Sequence, residues 1–153
     1  KFEEGLSRGL HLHWFSKTGR ELEDAVADLF EELDYEVKLT GGSRDSGVDL
    51  LMRKDGQIIV VQCKAMGNPC GPAVVRETYG AMHAMGADCA MVVCPRGFTQ
   101  AAVDFAKDKP IQLLAGGELS KATYDFEQYL PHWLSNPLDT KKLFRELKSR
   151  GRA

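Results

Sequence analysis

The stretch GVDLLMRKDGQIIVVQCKA, residues 47–65, decides the fold of this 153-residue chain. Residues 57–65 form a short apolar run rich in β-branched side chains, which is typical of a buried β-strand. Residues 48–53 have the same character, and the Asp55-Gly56 pair between the two runs is a strong signal for a hairpin turn. The sequence therefore predicts two antiparallel strands joined by a tight turn.

Helical and strand patterns alternate on both sides of this hairpin. The predicted elements are a helix over 20–33, strands over 35–40, 48–53 and 57–65, a helix over 72–85, a strand over 89–94, a helix over 100–107 and a strand over 111–115. The order αβββαβ plus an extra αβ predicts an α/β three-layer sandwich. Its mixed central sheet has about five strands, with helices on both faces.

Two polar residues interrupt the apolar pattern at the end of the second hairpin strand. Gln62 and Lys64 share one face of it, because side chains on a strand alternate with period two. Burying an unpaired ammonium costs several kcal/mol, so Lys64 needs a partner or a function. Asp49, on the preceding strand, is the candidate partner. An acid followed across a short turn by Gln-x-Lys can hold a metal ion beside a phosphate.

Hydrolysis of a phosphodiester needs oxygen ligands for Mg²⁺, an activated water and compensation of developing negative charge. Asp49 supplies a carboxylate, Gln62 an amide oxygen and Cys63 a backbone carbonyl. Glu23 lies at the margin of the apolar stripe of the first helix, so it can approach the metal directly or through a water. Lys64 would orient the attacking water or offset phosphate charge.

Other familiar chemistries lack their motifs in this sequence. It contains no phosphate-binding Gly-x-x-x-x-Gly-Lys-Ser/Thr loop, no Gly-x-Gly-x-x-Gly and no Gly-x-Ser-x-Gly. The four cysteines have no zinc-type spacing, and Cys63 and Cys94 fall in apolar strand patterns. We therefore expect buried free thiols, which fit a reducing cytoplasm.

Gly47-Val48-Asp49, then twelve residues, then Gln62-Cys63-Lys64 resembles the PD-(D/E)XK nuclease core, in the variant with Gln in place of the middle acid. Residues 22–27, 33–37, 76–81 and 98–102 resemble segments of the Mrr-type restriction endonuclease domain. The resemblance extends from about residue 20 to residue 119.

That resemblance implies cleavage of DNA with Mg²⁺, for which Mn²⁺ can substitute, in bacterial restriction or defence. It carries catalytic roles to Glu23, Asp49, Gln62 and Lys64. Asp45 matches an acidic position ahead of the catalytic Asp, and we interpret it as a loop cap rather than a ligand for a second metal. The usual Gly before the Tyr of the first strand is Asp34 here. The candidates for contact with DNA are the loop of Asp45 and the side chains of Arg44, Arg76 and Arg96.

The charge distribution is informative although the net charge is only −2. Seven acids and no base lie between residues 21 and 34, whereas residues 136–153 contain six bases and two acids. This asymmetry mildly favours a polyanionic partner such as DNA, bound away from the outer face of the first helix. The basic end of the chain can equally be a solvated surface.

The sequence predicts an N-terminal arm over 1–19, a nuclease-like catalytic domain over 20–122 and a helical extension with a basic tail over 123–153. The chain begins at Lys1 rather than Met, so a recognition segment or a membrane anchor could precede it. Cleavage of both DNA strands with one site per chain would favour a homodimer. Two alternatives remain open: a catalytically inactive, nuclease-like module that binds nucleic acid or protein, and a structure-specific junction resolvase.

Overall fold

The computed structural model of the protein describes residue 14, residues 16–40 and residues 47–120. The helices and strands are α1 (Gly19–Glu32), β1 (Glu36–Leu39), β2 (Leu50–Lys54), β3 (Gln57–Cys63), α2 (Pro72–Ala84), β4 (Cys89–Val93), α3 (Gln100–Ala106) and β5 (Ile111–Leu114). These elements confirm the predicted order. The helices predicted over 126–134 and 140–150 lie outside the described residues.

The five strands form one mixed sheet in the order β1-β2-β3-β4-β5. The β1–β2 and β2–β3 pairs are antiparallel, and the β3–β4 and β4–β5 pairs are parallel. The β2–β3 turn consists of Asp55 and Gly56, both with positive φ (52° and 79°), which is the backbone of a tight type I′ hairpin. The turn sets the register in which Leu50 lies opposite Val61.

Helices cover both faces of the sheet, as predicted. Val61 and Cys63 of β3 pack in the larger core cluster with Leu22 and other residues of α1. Val60, one residue earlier than Val61, packs instead with Met82 of α2. Because side chains alternate along a strand, the odd-numbered residues of β3 face α1 and the even-numbered ones face α2.

The end of α1 explains one departure from the family pattern. Asp34 has φ of 71°, in the left-handed region that glycine favours. Its backbone N–H donates to the carbonyl of Glu31, and the N–H of Tyr35 donates to that of Phe30, so the last carbonyls of the helix are satisfied. Asp tolerates this conformation better than most residues, which is why it can stand where Gly is usual.

The core extends to both ends of the described part of the chain. Trp14, which we assigned to the arm, is fully buried in the larger core cluster. Residues 116–120 are helical, and Leu119 is buried in the same cluster. The carboxylate of Glu118 accepts a hydrogen bond of 2.6 Å from the N–H of Ala115 and so caps this segment. Among the described helices, none combines the length and the apolar character needed to span a membrane.

Candidate active site

Asp49 lies at the place where β2 begins and β3 ends. Its backbone N–H donates to the carbonyl of Val61 at 2.8 Å, although Val61 is already the partner of Leu50 in the strand register. Its carboxylate Oδ2 accepts a hydrogen bond of 2.8 Å from the backbone N–H of Cys63. The carboxylate therefore takes the position of a ladder acceptor at the end of β3.

Thr40 holds the segment that carries Asp49, and sequence reasoning did not single it out. Its backbone N–H donates to the carbonyl of Asp49 at 3.0 Å. Its hydroxyl donates to the carbonyl of Val48 at 2.7 Å and is 3.2 Å from that of Asp49. The signal in the sequence that could have identified Thr40 is its hydroxyl group, which lies between β1 and the Gly-rich segment of residues 41–47.

Gln62 precedes Cys63 at the end of β3, and the backbone N–H of Cys63 donates to the carboxylate of Asp49. The side chain of Gln62 is only 6% exposed. Its Oε1 atom is buried and accepts no hydrogen bond from the residues that the structure describes. Leaving a buried polar group without a partner costs about 1–3 kcal/mol, so this oxygen is suited to an added ligand.

Glu23 comes to the same place from α1. Partial burial is the main cause that raises the pKa of its carboxyl, and the negative charge of Asp49 raises that pKa further. Burial also raises the pKa of the Cys63 thiol well above its usual value, with additional contributions from Asp49 and Glu23. The two carboxylates are thus close enough to interact electrostatically.

Lys64 lies differently from the prediction. β3 ends at Cys63, and Lys64 follows it as a half-buried residue whose backbone N–H donates to the carbonyl of Val93 at 2.8 Å. The prediction of an ammonium buried within the strand is therefore wrong, because the apolar run does not show where pairing with β2 stops. The ammonium forms no ion pair with Asp49, although both residues are described. Its positive charge acts instead on Cys70.

The residues around the end of β3 fit a hard divalent cation. Asp49 offers a carboxylate, Gln62 an amide oxygen without a partner, and Cys63 a backbone carbonyl between them, all ligands that Mg²⁺ accepts. Within the described parts of the chain, no group of three or more His, Cys, Asp and Glu could hold a metal ion. A site here would therefore depend on the amide and the carbonyl as well as on the acids.

The remaining sequence candidates lie at the rim or outside the described residues. Arg76 is exposed on α2, with its guanidinium 5.9 Å from the ring centre of Phe105. Arg96 is exposed in the turn after β4, at the same edge of the sheet as Lys64. Arg44 and Asp45 lie outside the described residues, so the loop-cap interpretation of Asp45 stays a prediction.

The profile of the Mrr catalytic-domain family, described as restriction endonuclease, matches residues 16–123. The chain belongs to this family, which confirms the resemblance seen in the sequence.

The fold also resembles solved structures of low sequence identity. A protein of unknown function, AF1548, is 16% identical with a TM-score of 0.56 over 90% of this chain and 97% of that one. The DNA modification-dependent restriction endonuclease AspBHI is 12% identical with a TM-score of 0.66 over 96% of this chain and 40% of that one. A repair endonuclease from Pyrococcus abyssi is 13% identical with a TM-score of 0.51 over 65% and 47%. The chain thus spans less than half the length of these two endonucleases. No curated protein matches the sequence.

Proposed function

We propose that the protein is a Mg²⁺-dependent endonuclease that hydrolyses phosphodiester bonds in DNA. The observation that carries the proposal is the unpartnered, buried Oε1 of Gln62 at the end of β3, where the carboxylate of Asp49 accepts a hydrogen bond from the N–H of Cys63. The family of restriction endonucleases, to which the chain belongs, generally uses divalent metal ions.

Each residue has a distinct role in the proposed reaction. Asp49, Gln62 and the carbonyl of Cys63 would hold the metal, with Glu23 as a further ligand directly or through a water. Mg²⁺, when bound, supplies Lewis-acid polarisation of the phosphate and makes water more acidic. Lys64, half-buried directly after β3, would orient the attacking water or offset phosphate charge. A water oxygen attacks phosphorus, and the leaving oxygen takes a proton as its bond to phosphorus breaks.

The first test is cleavage of supercoiled plasmid with Mg²⁺ or Mn²⁺. We expect wild-type protein to nick or cut the plasmid, and Asp49→Asn and Lys64→Ala to lose this activity. Asp104→Asn and Lys107→Ala are matched controls, because both side chains are exposed on or just after α3. Equal cleavage by wild type and all four variants would contradict the proposal.

Metal binding separates the endonuclease from an inactive binding module. Calorimetry should show Mn²⁺ binding by wild-type protein and its loss in Gln62→Leu, which removes the amide oxygen at similar volume. In the metal-free protein, the same substitution should raise stability, because it eliminates the unpartnered buried oxygen. A wild-type protein that binds neither metal and cuts no DNA would be the binding module.

Substrate choice is tested in the same assay. Methylated and unmethylated plasmid show whether modification is required, as the name of AspBHI states for that enzyme. Preferential cutting of a four-way junction over linear duplex would identify a junction resolvase. We place the activity in bacterial restriction or defence and in the cytoplasm. The ratio of nicked to linear product, with sedimentation analysis, tests for a homodimer.

A further inference from the structure

The strand β1 lies at one edge of the sheet and, among the described strands, pairs with β2 alone. Its four residues, Glu36–Leu39, are exposed except for the half-buried Val37. Leu39, a large apolar residue, is 46% exposed. Outward-pointing backbone groups and exposed apolar side chains at a sheet edge are the features to which a further strand binds. β1 is therefore a candidate site for strand addition.

The backbone groups of β1 alternate in direction between β2 and the open edge. The N–H of Thr40, directly after β1, donates to the carbonyl of Asp49 and so points towards β2. Because this direction alternates along an antiparallel strand, the N–H of Lys38 also points towards β2, whereas the backbone groups of Val37 and Leu39 point to the open edge. Val37 and Leu39 thus present donors and acceptors to an added strand.

The side chains of β1 alternate between the two faces of the sheet. Val37 lies opposite Met52 and packs against the larger core cluster on the α1 side. Glu36 and Lys38 therefore project from the other face. On that face α2 packs on β3 and β4, and the groove beside Glu36 and Lys38 is lined only by residues of β1, β2 and β3. The two charged side chains thus lie where no described helix covers the sheet.

The sequence of β1 is complementary to itself in one antiparallel register. When a two-fold axis passes through Val37, Glu36 of one chain lies opposite the partner's Lys38, and the reverse pair forms by symmetry. Leu39 then lies opposite the partner's Tyr35, which adds an apolar pair on the other face. Opposite charges and apolar side chains across neighbouring strands stabilise a sheet. In the same register, the outward backbone groups of Val37 bond to those of the partner's Val37.

We propose that two copies of this chain bind each other through an antiparallel β1–β1 pair, which joins their sheets into one. A second copy is the occupant because β1 carries both a charge and its complement, as a two-fold interface requires. β5, at the other edge of the described sheet, has no charged residue and lacks this complementarity. Since β1 has only four residues, the interface is small, and we expect a reversible dimer that depends on protein concentration.

The two-fold axis places the proposed active sites at opposite ends of the joined sheet. The end of β1 at Leu39 lies beside Asp49, because Thr40 bonds to the Asp49 carbonyl, and antiparallel pairing reverses this direction in the second chain. Each chain would therefore act on a separate stretch of DNA. This dimer differs from one that cuts both strands of a single site, and its existence does not depend on the endonuclease proposal.

The test is sedimentation analysis of two charge reversals, alone and mixed. Glu36→Lys places like charges across the interface, and so does Lys38→Glu, so each should raise the dimer dissociation constant by about tenfold. An equimolar mixture of the two variants should form a heterodimer at least as stable as the wild-type dimer, because every cross-strand charge pair again has opposite signs.

Glu31→Lys and Lys107→Glu are matched controls, since they change the net charge equally at exposed residues outside β1. Each should dimerise like wild type, and mixing them should change nothing. A wild-type chain that stays monomeric at all concentrations would overturn the proposal, as would a mixture of Glu36→Lys and Lys38→Glu that associates no better than either variant alone.

Amide hydrogen exchange locates the interface without any substitution. The N–H groups of Val37 and Leu39 should become more protected as the protein concentration rises, whereas that of Lys38, which points towards β2, should not change. Protection of Val37 and Leu39 that is independent of concentration would show that another segment of the same chain covers β1, and would overturn the proposal. Protection gained only outside β1 would place the dimer interface elsewhere and would overturn it too.

Discussion

The carboxylate of Asp49 accepts a hydrogen bond from the backbone N–H of Cys63 at 2.8 Å. One oxygen of the acid thus acts as a backbone acceptor at the end of β3, and Gln62, the residue before Cys63, carries a buried oxygen without a partner among the described residues. Asp49 therefore stabilises the end of β3 and is also a proposed metal ligand, and substitutions can separate these two roles.

Asp49→Ala should destabilise the metal-free protein more than Asp49→Asn does. Alanine leaves the buried N–H of Cys63 without an acceptor, which should lower the free energy of unfolding by about 1–3 kcal/mol. Asparagine keeps an oxygen at that position, so its stability should stay close to wild type although metal binding is lost. Urea denaturation with a chelator measures both variants. Equal destabilisation by the two substitutions would show that the hydrogen bond contributes little.

Glu23→Gln should change stability in opposite directions without and with metal. Burial and the charge of Asp49 raise the pKa of the Glu23 carboxyl above 4.5, so the folded protein binds more protons than the unfolded chain. The contribution of this group to stability therefore falls as the pH rises from 4.5 through the raised pKa. At neutral pH with a chelator, the variant should melt at a higher temperature than wild type, and below 4.5 the difference should disappear.

Added Mg²⁺ or Mn²⁺ should make wild type melt at a higher temperature than Glu23→Gln, because only wild type gains a carboxylate ligand. Thermal melts with and without metal test both parts of this prediction. Glu31→Gln, an exposed acid on the same helix, should change neither melt. A Glu23→Gln variant that gains as much from metal as wild type would remove Glu23 from the proposed site.

Gly47→Ala should slow DNA cleavage more than its effect on stability explains. Gly47 has φ of 64°, and an added Cβ would lie 2.7 Å from Oε1 of Glu77 on α2. Gly86 has φ of 65° with no atom within 4 Å of the same position, so Gly86→Ala measures backbone strain alone, roughly 1–2 kcal/mol. Only Gly47 lies two residues from Asp49.

Plasmid cleavage and urea denaturation of both glycine variants give the comparison. The double variant Gly47→Ala, Glu77→Ala should recover part of the lost cleavage, because the added methyl group no longer meets the carboxylate. If Gly47→Ala cuts plasmid as fast as wild type, the contact between Glu77 of α2 and residue 47 does not position Asp49.

One cysteine should ionise near neutral pH in the reduced, metal-free protein. The hydrogen bond from the Cys70 thiol, together with backbone N–H groups of Arg96, Cys70 and Gly97, lowers the pKa of Cys94 from 9.0 to about 7. Thiolate absorbance should therefore rise as the pH passes about 7. Cys94→Ser should remove this step and Cys70→Ser should move it to higher pH, whereas Cys89→Ser should leave it unchanged.

The lowered pKa of Cys94 also determines whether stability rises or falls with pH. The unfolded thiol keeps its proton up to about 9.0, so ionisation of Cys94 should stabilise the fold as the pH rises from about 7 towards 9.0. Stability of Cys94→Ser should lack this gain. A first thiol ionisation close to 9.0 in wild type would contradict the proposed hydrogen bonding.

The sequence predicted the elements that depend on local patterns. The periodicity of α1 and the Asp55-Gly56 turn are encoded by neighbouring residues, and the structure confirms them. The pairing of Leu50 with Val61 followed from the turn, because a two-residue hairpin leaves only one register.

The features that were missed depend on contacts between distant segments. The end of β3 at Cys63 depends on where its partners stop pairing, so Lys64 could not be placed from an apolar run. The helical residues 116–120 follow from the burial of Leu119 in a core built by α1 and β3. The contact of Glu77 with Gly47 joins a helix to a loop thirty positions earlier in the chain.

The two-residue turn between β2 and β3 also restricts how this domain can vary in evolution. Insertion of a single residue there would move the partner of Leu50 from Val61 to a neighbouring position, and every side chain of the shifted strand would exchange faces. Side chains at Asp55 and Gly56 can change as long as they tolerate positive φ. Active relatives should therefore conserve the length of this turn more strictly than its residues, although it lies at the opposite end of the strands from the proposed metal ligands.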